Sequence, residues 1–384
     1  MRVLNRGDKP TTVTAVYTPD GGGFAAVKIA IAPRQVVVLN DIVFTTMRST
    51  GLGALELQGD VASLIVTSRT YNTNARGTFG QFVASANTAD AIGGVTHAFV
   101  THMRNDADFR SNLGFTEVAG GAGVVHVNGQ DINVAAFQHV QMPAAGSGDI
   151  VADFSVVSGS ARILAYGSMV DNRSGDAIYV PARVTPTSAQ TLYAPAINAA
   201  GALGTHWRTE VVLANVAGGP VVGPLQYLDR GFVIDPAVPL LRFPDIVATL
   251  GREQTMGLLR FGPTTGILAT ARIYTDSDAG TFGQFVPFAA EGHGGDLIQI
   301  EVSDAFRTNL GAGNLGSAPV VARFTMFDAA GNTLATTERV LQPLELVQFP
   351  LAVSAARVRV DGDVLAYASV VDNRSGDAIF VPAQ

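Results

Sequence analysis

Two hexapeptides carry the densest oxygen chemistry of this sequence, Asp171-Asn172-Arg173-Ser174-Gly175-Asp176 and Asp372-Asn373-Arg374-Ser375-Gly376-Asp377. Each gathers two carboxylates with amide and hydroxyl oxygens, a donor set suited to a hard cation such as Ca²⁺. The same residues also make a hairpin turn in which Asp and Asn accept backbone N–H bonds, Gly takes positive φ and Arg is solvated. The turn is the expectation, and Asp171, Asp176, Asp372 and Asp377 stand as secondary calcium candidates. Asp276 and Asp278, in Asp276-Ser277-Asp278-Ala279-Gly280, are a further pair, matched by Asn72-Thr73-Asn74. That stretch lacks the third acid and the distal Glu of a calcium loop, so turn chemistry is expected there too.

Arg69 and Arg272 each precede Thr/Ile and Tyr in a strand-like run and face a Gly-containing strand, Gly77–Val83 or Gly280–Val286. Arg110 and Arg307 each follow a Phe. An exposed Arg-aromatic platform would suit a sugar or peptide. An amphipathic stem lying over a sheet is the structural reading, and recurrence favours it. Trp207 is the one tryptophan, set between His206 and Arg208. Exposed, it would stack on a carbohydrate; burial at a sheet edge is expected, because Phe109 and Phe306 open other blocks in its place.

Catalytic constellations are missing from the pattern. There is no His-Glu-x-x-His, no Gly-x-Ser-x-Gly elbow and no phosphate-binding lysine loop. The six histidines, His97, His102, His126, His139, His206 and His293, do not recur between copies and are expected at surfaces or edges. Gly311-Ala-Gly-Asn-Leu-Gly316 has dinucleotide-type spacing but leads into the alternating strand Val320–Phe327, where a helix is required. No cofactor is expected. An enzyme would need carboxylates such as Glu210, Asp229 or Asp235 converging in a cleft between blocks.

What must position these residues is a duplication. Tyr166–Ala182 returns almost unchanged as Tyr367–Ala383, Gly77-Thr-Phe-Gly-Gln-Phe-Val83 as Gly280–Val286, and Phe109–Gly114 as Phe306–Gly311. Within each copy the halves also correspond, strand, short polar turn, strand. β-Branched runs such as Thr11–Tyr17, turns such as Asp20–Gly23, and about seven short strands per block predict immunoglobulin-like sandwiches. The expected architecture is all-β: four tandem immunoglobulin-like β-sandwich modules in A-B-A-B order, over 1–88, 94–184, 190–290 and 296–384. Phe44–Thr50 and Asp245–Leu250 are read as single helical turns. Short joints predict that neighbouring blocks touch.

Net charge is −7 over 384 residues, and only Lys9 and Lys28 among the 25 basic residues are lysines. No basic cluster exists, so nucleic acid is excluded as an expected partner, as is insertion into a membrane, for want of a long apolar run. Absence of cysteine removes disulfides and thiolate chemistry. The opening Met1–Asp8 carries no apolar export-signal core.

Ser68-Arg69-Thr70-Tyr71-Asn72 with Gly77–Val83, and Phe306–Gly311 with Ala366–Ala378, resemble tandem repeats in predicted secreted proteins of acidobacteria and related soil bacteria. The resemblance runs through the chain and implies export and modularity; such repeats have no assigned activity and supply no catalytic residues. The expectation is a non-catalytic extracellular or cell-surface structural and interaction protein: a spacer, adhesion or assembly module. The alternative is a carbohydrate-binding accessory. The first block departs at its start, where Met1–Asn5 stands in for a longer opening strand; either it is truncated or an open sheet edge is left for protein or self-association.

Overall fold

A computed structural model describes residues 1–20, 22–234 and 239–384. The chain is all-β, built of antiparallel sheets in sandwich-type layers. Alternation drives it: in Thr11–Pro19, Val13, Ala15 and Tyr17 point into a core while the residues between them are half or fully exposed. No helix among the described residues is long and apolar enough to cross a membrane.

The sheets fall within successive stretches of chain. In the first, Val36–Val38, Arg2–Asn5, Leu64–Asn74 and Gly77–Ala84 form one layer, and Ala25–Ile31, Thr11–Pro19 and Gly53–Gln58 the other. In the second, a layer centred on Gly148–Gly159 and Ala98–Asn105 faces one made by His139–Pro143, Phe109–Glu117, Ile163–Asp171 and Ala177–Pro181. The last repeats this plan with Leu346–Pro350, Phe306–Gly313, Leu365–Asp372 and Ala378–Pro382. The third departs from two separate layers. Its strands form one continuous sheet, because Gln190–Ala200 pairs with Thr255–Thr264 in one layer and, at Ala199 and Ala200, with His206–Asn215 in the other.

The helical turns are small. Asp245 caps Ile246–Thr249 through Ala248 N–H at 3.0 Å, and Ile42–Thr46 makes a π-type turn in the corresponding place. The second core begins at Ile92, which bridges to Ile163, slightly before the expected boundary at 94.

The stretches are not laid end to end. Strand Leu365–Asp372 is buried along its whole length, without alternation, because both of its faces are covered. Tyr367 and Phe380 join the core of the third stretch, Phe285 packs on that of the second and Phe82 on that of the fourth. Gly77–Ala84, Ala177–Pro181, Gly280–Pro287 and Ala378–Pro382 therefore converge on one centre.

Candidate functional site: the central junction

The repeated motifs meet at this centre, each copy clasping the other. Asp171 Oδ1 accepts the N–H groups of Arg173 and Ser174, both at 2.8 Å, closing its own turn. Its Oδ2 accepts from the N–H and the hydroxyl of Thr281, again at 2.8 Å. Ser174 Oγ returns a bond to the Thr281 carbonyl at 2.7 Å. The second hexapeptide does the same to the first stretch: Asp372 accepts from Arg374, Ser375 and both donors of Thr78, and Ser375 Oγ donates to Thr78 O at 2.8 Å. Burial alone would raise the carboxyls of Asp171 and Asp372, but these N–H and O–H donors outweigh it and hold both below the ordinary range.

The glycines of Gly-Thr-Phe-Gly are required by this clasp. Gly280 has φ 117°, and a Cβ there would lie 2.5 Å from Asp171 Oδ1; Gly77 has φ 122° and would meet Asp372 Oδ1 at 2.7 Å. Between them Phe79 and Phe282 stack at 5.6 Å, one from each copy. Gln81 Oε1 accepts from Ser168 and Gln284 Oε1 from Ser369, each at 3.0 Å.

Behind the clasps lie the second acids. Asp377 Oδ2 accepts from Gly80 N–H and Arg69 Nη2, both at 2.9 Å. Asp176 Oδ2 accepts from Gly283 N–H at 2.8 Å, with Arg272 Nη2 further off at 3.9 Å. Both acid side chains are fully buried, and the Oδ1 of each lacks a donor. The two carboxyls act on one another, and two buried carboxyls so placed do not both ionise. Burial, then the neighbouring carboxyl, pushes Asp377 well up; burial pushes Asp176 up to about 6.

Arg69 and Arg272 are the walls of this centre. Arg272 is buried and Arg69 nearly so. Arg69 lies over Tyr71 and Phe306 at 5.3 and 5.5 Å, and Arg272 over Tyr274 and Phe109 at 5.2 and 5.5 Å. Arg110 and Arg307 donate to Asn172 and Asn373 at 2.9 and 2.8 Å.

The remaining candidates lie apart. Asp276 is exposed and paired with Arg208; exposed Asp278 offers its backbone carbonyl to Arg173 at 2.8 Å. Among the described residues no three His, Asp or Glu side chains are grouped to hold a metal. Trp207 is half-buried and borders a cleft of about 320 Å³ between the third and fourth stretches, with Ile197, Gln284, Arg307 and Tyr367; no carboxylate lines it among the described residues. Asp229 is exposed and paired with Arg252, Glu210 is buried, and Asp235 lies outside the described residues.

The histidine expectation needs correction at His102, which is fully buried on an inner strand; His139 is buried as well, but on the edge strand His139–Pro143. His102 sits at φ 64°, beside a register shift in its pairing with Gly148–Gly159, and this turns its ring into the interface with the third stretch. Its Nε2 lies 3.2 Å from Glu210, which also takes Arg242, and Arg242 Nε reaches Asp149 at 2.6 Å. Burial lowers the His102 pKa although Glu210 opposes it, so a neutral ring donates to the carboxylate. Glu210 is driven far down, its burial outweighed by His102 and then the two arginines Arg242 and Arg272. His139 joins Asp20 of the first stretch to Tyr166, 2.9 Å from Nε2. Neither histidine has a copy, so duplication gave no signal for them.

No known family model, no curated protein and no solved structure matches this chain.

Proposed function

We propose that the chain is a non-catalytic structural and interaction protein, acting outside the cell or at its surface, in which four immunoglobulin-like blocks in A-B-A-B order are clasped into one body. The observation that carries this reading is the fate of the repeated polar residues. Asp171, Asp176, Asp372, Asp377, Arg69 and Arg272 are spent on joining one copy to the other. Buried groups with fixed partners serve specificity of assembly better than turnover. Of the roles open to such a protein, adhesion and assembly are better supported than spacing, because a spacer gains reach from blocks laid end to end and here the central strands converge.

Panels of ester, peptide and glycoside substrates are expected to give no turnover with the purified protein, and electron microscopy is expected to show compact particles. Saturable turnover that survives re-purification would sink the reading. Retention on a polysaccharide column would move it to the carbohydrate-binding alternative.

A further inference from the structure

The cleft between the third and fourth stretches is lined by groups that the central clasps do not use. Its volume, about 320 Å³, lies at the small end of the range for sites that take small molecules, about 300–1,000 Å³. Gly201, at the turn between Gln190–Ala200 and His206–Asn215, lets the indole of Trp207 come close, since a Cβ there would stand 2.6 Å from Nε1. Trp207 packs on the third core and also borders the cleft. From the fourth stretch come Arg307 and Asn309, two residues apart on one strand and so on one face of it.

The bonding of these groups is lopsided. Gln284 and Gln348 have their amide oxygens taken, by the hydroxyls of Ser369 and Tyr367 at 3.0 Å each, which leaves both NH2 groups as donors. Among the described residues the Asn309 amide and the Trp207 N–H have no hydrogen-bond partner. Arg307 spends one N–H on Asn373 Oδ1 at 2.8 Å. Asp372 acts on Arg307 from outside the cleft, with its oxygens already taken by Thr78, Arg374 and Ser375. Since no carboxylate lines the cleft among the described residues, it offers a cation with amide and indole donors and few acceptors. A neutral sugar needs the reverse, because each of its hydroxyls brings a proton to place.

We propose that this cleft binds a hexuronic acid, a pyranose ring that carries a carboxylate. The carboxylate takes the unspent N–H groups of Arg307 in a charge-assisted pair. Ring and hydroxyl oxygens accept from Asn309, Gln284 and Gln348, and the apolar face of the ring lies on Trp207. A flat aromatic acid would satisfy Arg307 and Trp207 but leave the amides unpaired, which costs affinity in a site that sheds its water. A neutral sugar would leave the guanidinium without an anion. The inference goes beyond the interaction reading, which concerns the joining of the copies. Catalytic turnover on the substrate panels sinks that reading and leaves this cleft untouched; the titrations below sink this one and leave the clasps untouched.

Trp207 is the only tryptophan, so indole fluorescence of the intact protein reports on this cleft alone. Titration with glucuronate and with galacturonate is expected to change it saturably for at least one of the two, with a Kd about tenfold or more below that for glucose or galactose. Benzoate is expected to bind as weakly as the neutral sugars. Asn309→Asp alters a side chain without a protein partner and is expected to keep the wild-type unfolding midpoint. It should weaken uronate binding about tenfold or more, because the new acid neutralises Arg307 and repels the ligand. The comparison of ligands is made on the wild type and stands whatever the variant does. No saturable change with either uronate overturns the proposal, as do equal affinities for acid and neutral sugar, benzoate binding as tightly as a uronate, or a folded Asn309→Asp that binds as before.

Discussion

Asp176 and Asp377, the last acids of the two hexapeptides, face each other at the centre of the molecule with both side chains fully buried. Two carboxylates buried against one another do not both ionise, so one of the pair keeps its proton. The pair differs in its cations: Arg69 touches Asp377 at 2.9 Å, while Arg272 stands 3.9 Å from Asp176.

This predicts a loss of stability toward alkaline pH. Both folded values are raised above the ordinary carboxyl value of 3.8, so the native protein holds a proton that the unfolded chain has released. The contribution is complete below about pH 4 and is lost as pH rises through about 6 and beyond. In Asp176→Asn the amide keeps an oxygen for Gly283 N–H and offers its own N–H to Asp377, so that part of the pH dependence should vanish. Urea midpoints from pH 4 to 9 check it. The variant should gain roughly 2–3 kcal/mol on the wild type between the ends of that range, and parallel curves would refute the retained proton.

The clasps predict the opposite sign on the acid side. Asp171 and Asp372 have folded values below 3.8, so their stabilisation is present above that value and is lost as pH falls through it. Asp171→Asn and Asp372→Asn each turn an N–H toward the donors of Thr281 or Thr78 and should cost about 2–4 kcal/mol at pH 6. Near-equal losses in urea unfolding would show the two clasps to be equivalent; a neutral result at either would show that clasp to be dispensable.

Steric need for the glycines is separable from backbone strain. Gly280→Ala puts a methyl 2.5 Å from Asp171 Oδ1 at φ 117°, whereas Gly218→Ala, at φ 75°, meets nothing within 4 Å. Strain alone costs about 1–2 kcal/mol at either position. The extra loss at Gly280, about 2 kcal/mol or more by thermal unfolding, measures the clasp. Equal losses would mean the loop shifts freely.

Much of this was legible in sequence, and the limits are physical. Alternation in Thr11–Pro19 and the repeated turns predict an all-β chain, because period and turn chemistry are local. The repeats also mark the right residues, yet reading them one hexapeptide at a time yields a surface turn. Half of that reading stands: Asp171 does close its own turn, and Gly175 has φ 77°. The other half of its carboxylate serves Thr281, more than a hundred residues on, and no local pattern encodes which copy a loop will meet. His102 is harder still, since a single bulge turns it inward and nothing in its neighbours' types announces a bulge.

His102 gives a final prediction, from comparing the two like interfaces. In the fourth stretch Gln299 takes its place: the hydroxyl of Thr67 lies 3.1 Å from Gln299 Oε1, as that of Thr270 lies 3.2 Å from His102 Nδ1. A glutamine at 102 can accept from Thr270 and donate to Glu210, so His102→Gln should fold with a loss of about 1 kcal/mol or less at pH 8. Burial keeps the His102 ring neutral, its folded pKa below 6.5, so the wild type loses stability as pH falls below 6.5 and the unfolded imidazole gains a proton. The variant lacks that group, so its stability relative to wild type should rise between pH 8 and pH 5. Thermal unfolding at the two pH values decides it: a relative fall on acidification would mean that the ring is charged in the folded protein and paired as an ion with Glu210.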